Sequence, residues 1–180
     1  MGSGMKIKGL EFIEFISEEE IKQKIHWLAS EIDKHYAGKT PVLLPVLNGS
    51  FMFAADLLKD ITIPCRVSFV KVSSYEGLGS TGQLKTLIGL DESLFKQDIL
   101  IVEDIVDTGL TLQKIMGELK SLGTGSVEVV SLLRKKPARE KGVEVKFTGF
   151  EIDNEFVLGY GLDYDGLGRN YRQLFQAVIE

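Results

Sequence analysis

Apolar positions recur along the chain with two periods, and the change of period marks its elements. Ile21, Ile25, Leu28, Ile32 and Tyr36 return every three or four residues, the stripe of an amphipathic helix. Ser17, with Glu20 three positions on, forms a capping box, and Gly38 supplies a stop, so a helix is predicted over 17–38. A short helix is predicted over 50–60, "SFMFAADLLKD". A third is predicted over 111–123, where Leu112, Ile115, Met116 and Leu119 make the stripe and Gly123 ends it. Between these lie short runs with strand character at 42–47, 66–73, 84–90, 99–102, 127–133, 146–152 and 156–160. Pro45 sits inside the first, where its missing N–H opposes a central position. Strand, helix and strand alternate, and the run "ILIV" is apolar throughout. Both features predict an α/β protein whose sheet is largely parallel and covered on both faces. No repeat or long linker interrupts the pattern. A single domain over 5–180 is expected, with residues 1–4 read as a cloning remnant ahead of Met5.

Composition narrows the class of partner. The 180 residues are 44% hydrophobic and 26% charged, ordinary for a soluble globular chain. A net charge of -5 gives no general attraction for nucleic acid or an anionic membrane, and neither is expected as a partner. No apolar run reaches the roughly 20 residues that cross a bilayer. The one cysteine, Cys65, excludes an internal disulfide and fits a reducing compartment. A cytoplasmic setting is the expectation.

The stretch "DILIVEDIVDTGLTLQ" concentrates the candidate chemistry. Its apolar run is followed by Glu103, Asp104 and Asp107, then by the small, hydroxyl-rich turn Thr108-Gly109-Leu110-Thr111. In open α/β sheets, ligands bind beyond the carboxyl ends of strands, where helices begin. The acids are therefore expected at the sheet rim, outside the strand. A helix start offers unpaired N–H groups and the positive end of the dipole, so the turn suits a phosphate monoester. The acids repel phosphate but suit sugar hydroxyls or a divalent cation. A sugar phosphate meets both demands. The other reading is a capped helix, with Asp107 or Thr108 near the N-cap and the acids solvated.

Other motifs carry less. Gly77, Gly79 and Gly82 spell G-x-G-x-x-G, yet a strand-like run follows them instead of a helix, which argues against a dinucleotide site. His26 and His35 share the first helix without neighbouring ligand-type residues and read as structural. Cys65 reads as a small buried residue.

"VEDIVDTGLTL" resembles the phosphoribosyl-diphosphate (PRPP) signature of type I phosphoribosyltransferases. "PVLNGSFMFAADLL", "SSYEGLGSTG", "SLLRKKP" and "EFVLGYGLDYDGLGRNYRQL" are similar to segments of the hypoxanthine-guanine branch, in family order from about Leu43 to Leu174. The resemblance implies a parallel-rich central sheet flanked by helices, a small hood and a flexible lid loop at about 74–83. It implies transfer of ribose 5-phosphate from PRPP to hypoxanthine or guanine, with Mg2+, in purine salvage. Glu103 and Asp104 would hold the ribose hydroxyls or the metal. Asp107 would serve as general acid/base beside the purine. Thr108, Gly109, Leu110 and Thr111 would cradle the 5′-phosphate. Asn48 and Gly49 would meet pyrophosphate through backbone N–H groups, in a loop whose peptide is often cis in the family, and Arg169 would add a charged contact. Many relatives carry a basic residue where this chain has Asn48, and lysine where it has Leu110.

On the purine side, Lys135 would donate to the exocyclic oxygen, with Lys136 a rival for that place. Phe156 would stack on the base, and Val157 would offer backbone groups to its edge. Asp163 would be a further purine-side and metal carboxylate. Ser74 and Tyr75 would close over the substrates. Taken without the resemblance, Arg134 to Lys136 read as a solvated basic turn, Phe156 as core, Asp163 and Arg169 as surface charges, and 74–83 as an exposed hairpin loop. A homo-dimer or homo-tetramer is the expected assembly. Two other functions fit the same fold: a nucleotide-sensing regulator that grips RNA, and a phosphoribosyltransferase that prefers xanthine.

Overall fold

The computed structural model of the protein describes residues 4–74, 84–137 and 144–178. Within these, β3 (Val42–Leu47), β4 (Arg66–Val67), β5 (Val70–Ser74), β6 (Leu84–Ile88), β7 (Ile99–Val106), β8 (Val127–Lys135) and β9 (Phe147–Ile152) form the main sheet. Its order is β6-β5-β3-β7-β8-β9, with β4 also pairing β3. Every pairing is parallel except that of β5 with β6. The parallel-rich sheet expected from the apolar runs is thus present.

Among the described residues, three helices cover the sheet. α1 (Glu18–His35) and α2 (Phe51–Asp60) share one core cluster with Leu43, Leu100, Val102 and Val130. α3 (Leu110–Ser121) packs Leu112, Ile115 and Leu119 with Val42, Leu44, Ile99, Ile101 and Val129. Successive strand residues point to opposite faces, so β7 can feed Leu100 and Val102 to one layer and Ile99 and Ile101 to the other. Each fully buried Leu or Ile contributes about 1.5–3 kcal/mol relative to exposure. α1 begins as predicted: Ser17 caps the Glu20 N–H, and the Glu20 carboxylate accepts the Ser17 N–H at 2.9 Å.

A second, antiparallel sheet makes the hood. Its order is β1 (Met5–Ile7), β2 (Leu10–Ile16), β11 (Leu174–Ala177) and β10 (Val157–Leu158). It encloses Phe12, Leu158 and Phe175. β1, β2 and β11 were not among the expected strands. β2 and β11 pair residues from opposite ends of the chain, Phe12 with Ala177 and Glu14 with Phe175, so no local pattern announces that pairing; β1 is a short arm folded back on β2.

Several predicted bounds shift. α1 ends at His35, and α3 starts one residue early, at Leu110. The run 66–73 divides into β4 and β5. That division explains Pro45. Leu43 O accepts the Ser68 N–H on the β4 side, and a residue two along directs its backbone groups to the same side. On that side β3 pairs at Val42 and Leu43, then again at Val46 and Leu47. The N–H that proline lacks falls in the gap between β4 and β5.

One correction bears on function. Glu103 and Asp104 do not lie beyond the strand. β7 continues to Val106, with Glu103 opposite Ser131 and Ile105 opposite Leu133 on β8. The strand carries its acids inside the sheet because β8 is itself longer than predicted, running to Lys135.

Candidate active site

The carboxyl ends of β3, β7, β8 and β9 lie side by side, and the candidate residues gather there. Glu103 and Asp104 are each 9% exposed. Asp104 points at the loop after β3: a Cβ on Gly49 would overlap its carboxylate. Gly161, in turn, packs so closely on the Gly49 carbonyl that a Cβ there would overlap it. Only glycine permits these two approaches. Asp104 Oδ1 also accepts the Ile105 N–H at 2.8 Å. The bond between Leu47 and Asn48 is cis, one residue before the Asn48–Gly49 pair of the resemblance.

The acids sit in an unfavourable place for charge. Burial pushes Asp104 from an ordinary 3.8 up to about 6; backbone N–H groups and the Arg169 guanidinium oppose that rise. Glu103 is raised well above the usual carboxylate range, first by burial and then by the neighbouring charge of Asp104. Glu103 Oε2 is buried and accepts no hydrogen bond from the described residues. An orphaned carboxylate oxygen of this kind is costly unless a donor or cation meets it.

Arg169 anchors the far side. Its Nη1 donates to Gly161 O at 2.6 Å and its Nη2 meets Asp163 Oδ1 at 2.5 Å. Asp163 Oδ2 accepts the Gly166 N–H at 2.7 Å. Arg169 and Asp163 are therefore a pair, not separate surface charges.

The turn after β7 departs from the capped-helix alternative. The N-cap of α3 is Gly109, at a φ of 77°, and no side chain caps it. Asp107 does not cap either: its Oδ2 takes the Lys135 ammonium at 3.0 Å. Thr108 Oγ1 receives only a long hydrogen bond, 3.4 Å, from the Leu110 N–H. α2 likewise starts at Ser50 without a side-chain cap, the Ser50 hydroxyl donating back to Val46 O at 2.6 Å. Both helices that begin at the rim thus keep free N–H groups there, which is the electrostatics an anion needs. Thr111 lies in the first turn of α3, and Leu110 projects outward, 60% exposed.

Consecutive lysines separate. Lys135 ends β8 with its ammonium between Asp107 and Asn154. Lys136 is exposed and pairs with Asp153 at 2.7 Å. Phe156 is neither core nor free: it meets Tyr164 edge-on at 5.5 Å and Phe12 at 6.2 Å. Val157 is buried in β10 opposite Gln176. Ser74 ends β5, while Tyr75 and the rest of the lid expectation lie outside the described residues. The histidines stand apart, His35 against Tyr36 and Phe147, and His26 near Asp60. Sequence reasoning missed Gly161 and Asn154. The glycine-rich "GYGLDY" was a signal for the first; nothing local marks the second.

Comparison with known proteins agrees with this geometry. Residues 15–165 match the phosphoribosyl transferase domain family. The hypoxanthine phosphoribosyltransferase of Buchnera aphidicola is 41% identical over 162 residues, 88% of this chain and 90% of that one. The hypoxanthine-guanine phosphoribosyltransferase of Lactococcus lactis is 43% identical over 160 residues, 88% of this chain and 85% of that one. A crystal structure of a hypoxanthine phosphoribosyltransferase from Staphylococcus aureus superposes with a TM-score of 0.85 at 39% identity, covering 92% of this chain and 90% of that one. The chain belongs to the phosphoribosyltransferase family, in its hypoxanthine-guanine branch.

Proposed function

We propose that the protein transfers the 5-phosphoribosyl group of PRPP to hypoxanthine, and to guanine, releasing pyrophosphate and forming IMP or GMP in purine salvage. The bond from C1 of the ribose to the diphosphate oxygen breaks, and a bond from C1 to a ring nitrogen of the base forms. One strand end carries the reading: 103–109 presents buried acids, then a carboxylate paired with lysine, then an uncapped helix start.

Each part has a task in that reaction. The free N–H groups of the 108–111 turn bind the 5′-phosphate, and the loop at Asn48 and Gly49 binds the diphosphate with Arg169. Glu103 and Asp104 would hold the ribose hydroxyls and Mg2+. The donor set fits this ion, because Mg2+ is commonly held by one or two carboxylates together with substrate phosphate. It also fits the orphaned Glu103 oxygen and the raised Asp104. When bound, the metal would neutralise charge on the leaving diphosphate. Asp163, paired with Arg169, would add a further carboxylate on the metal side. Asp107 takes a ring proton from the base, making the attacking nitrogen a stronger nucleophile. Lys135 donates to the exocyclic oxygen, Phe156 covers one face of the ring, and Val157 offers backbone groups to its edge.

An RNA-gripping regulator and a xanthine preference gain no support from relatives named for hypoxanthine and guanine. Among the described residues no helix is long and apolar enough to cross a membrane. A homo-dimer or homo-tetramer in the cytoplasm remains part of the reading, and light scattering measures the assembly. The deciding assay mixes protein, Mg2+, PRPP and each base. IMP from hypoxanthine is the expected product, with GMP from guanine and far slower use of xanthine. Absence of IMP and GMP would overturn the proposal.

A further inference from the structure

Lys135 ends β8, the strand between β7 and β9, and both neighbouring strand ends receive its ammonium. Asp107, just past β7, accepts at 3.0 Å. Asn154, just past β9, accepts through Oδ1 at 3.3 Å. The lysine side chain is 10% exposed, while that of Asp107 is 56% exposed. An ammonium has three donors and no acceptor of its own, and little water reaches this one. Its direction is therefore set by those two oxygens.

The two acceptors are unequal. In the proposed reaction Asp107 also faces the ring of the base, so its carboxylate is shared between the base and Lys135. Asn154 has no competing task. Its amide is neutral, so it directs the ammonium without cancelling the positive charge that an exocyclic purine oxygen needs. We propose that Asn154 is a positioning residue for 6-oxopurine binding: it holds Lys135 in place while Asp107 engages the base. This inference rests on the functional reading above. It also gives the neighbouring loop a purpose that Lys136 and Asp153, an exposed surface pair, do not share.

The test is kinetic. Asn154→Leu removes the acceptor at similar size, and Asn154→Ala is the second variant should leucine perturb the loop. A hydrogen bond to a charged group corresponds to roughly a tenfold or greater effect. The KM for hypoxanthine is expected to rise about tenfold, with the KM for PRPP and the melting temperature close to wild type. In a Lys135→Ala background, Asn154→Leu is expected to add nothing further, because it acts only through the lysine. A general loosening of the loop would instead raise both KM values and lower the melting temperature. Wild-type protein that makes no IMP overturns the functional reading, and this inference with it. Active wild type whose Asn154 variants keep their KM for hypoxanthine, lose PRPP affinity equally, or add fully to Lys135→Ala overturns this inference alone.

Discussion

One aspartate precedes strand β7 and another lies near its far end, and the fold treats them oppositely. Asp98, at its start, accepts the Ser126 hydroxyl at 2.6 Å and N–H at 3.1 Å, and Lys39 lies 3.3 Å away. The Ser126 hydrogen bond leads the causes that hold its pKa below the ordinary value. Asp104, near the other end, is buried against Gly49 and raised to about 6. One acid has its charge satisfied by hydrogen bonds from the chain, while at the other burial outweighs the backbone N–H groups and Arg169 that favour its charge. The difference separates an acid that holds a structure from an acid that serves a ligand.

The largest effect expected concerns the acid that follows. Asp107→Asn should lower kcat by about 10²–10⁴-fold, the usual contribution of a positioned acid or base. The fold should survive, because Lys135 keeps its Asn154 contact. Steady-state kinetics with hypoxanthine, together with a melting curve, reads both outcomes. Unchanged turnover would break the contrast, since Asp107 would then be no more chemical than Asp98.

The next effect has a sign that depends on pH. Asp104 carries a folded-state pKa above its unfolded one, so its contribution favours folding below about pH 4 and is lost as pH rises through about 6. A displacement from 3.8 to about 6 corresponds to roughly 3 kcal/mol. Asp104→Asn should therefore gain stability relative to wild type as pH rises from 4 to 8, while losing activity. Denaturant titrations of both proteins at the two pH values check this. A constant difference across that range would mean that burial does not raise the acid. Wild type with Mg2+ and PRPP at pH 8 should recover stability that the variant does not.

Asp98 should behave in reverse. Its pKa is lowered, so its contribution is present above about 3.8 and lost as pH falls through the folded-state value. Asp98→Asn should cost about 1 kcal/mol at pH 7, on the scale of one net hydrogen bond, because the amide oxygen can still accept from Ser126. Turnover should remain near wild type. Loss of activity without loss of stability would erase the distinction between the two ends of the strand.

The sequence made much of this legible, and the reasons are local. The capping box at Ser17, the stripe of α1 and the apolar run of β7 are short-range patterns, and each appears where it was expected. The order of acids, glycine and threonines after Val102 located the site. Burial of the acids was misread because pairing with β8 decides it, and Ser131 lies far from Glu103 in sequence. The pairing of β2 with β11 in the hood was missed for the same reason. So was Asn154, whose partner Lys135 comes from another strand end. Pairwise contacts across the sheet, not composition or period, are what one sequence withholds.

The smallest effect uses a glycine to sharpen the same contrast. Gly49 is compelled by the Asp104 carboxylate, whereas Gly117 lies inside α3 with nothing within 4 Å of where a Cβ would sit. Mid-helix glycine costs roughly 0.5–1 kcal/mol relative to alanine, through the backbone freedom lost on folding. No close approach at Gly117 offsets that cost. Gly117→Ala should therefore stabilise the protein by about that amount, without change in KM or kcat, because α3 is exposed at this position and the phosphate turn lies two helical turns away. The same substitution at Gly49 should displace Asp104 and reduce activity. If Gly117→Ala instead weakens the fold or the kinetics, something approaches α3 at that surface, and the assembly measured by light scattering is the first place to look for it.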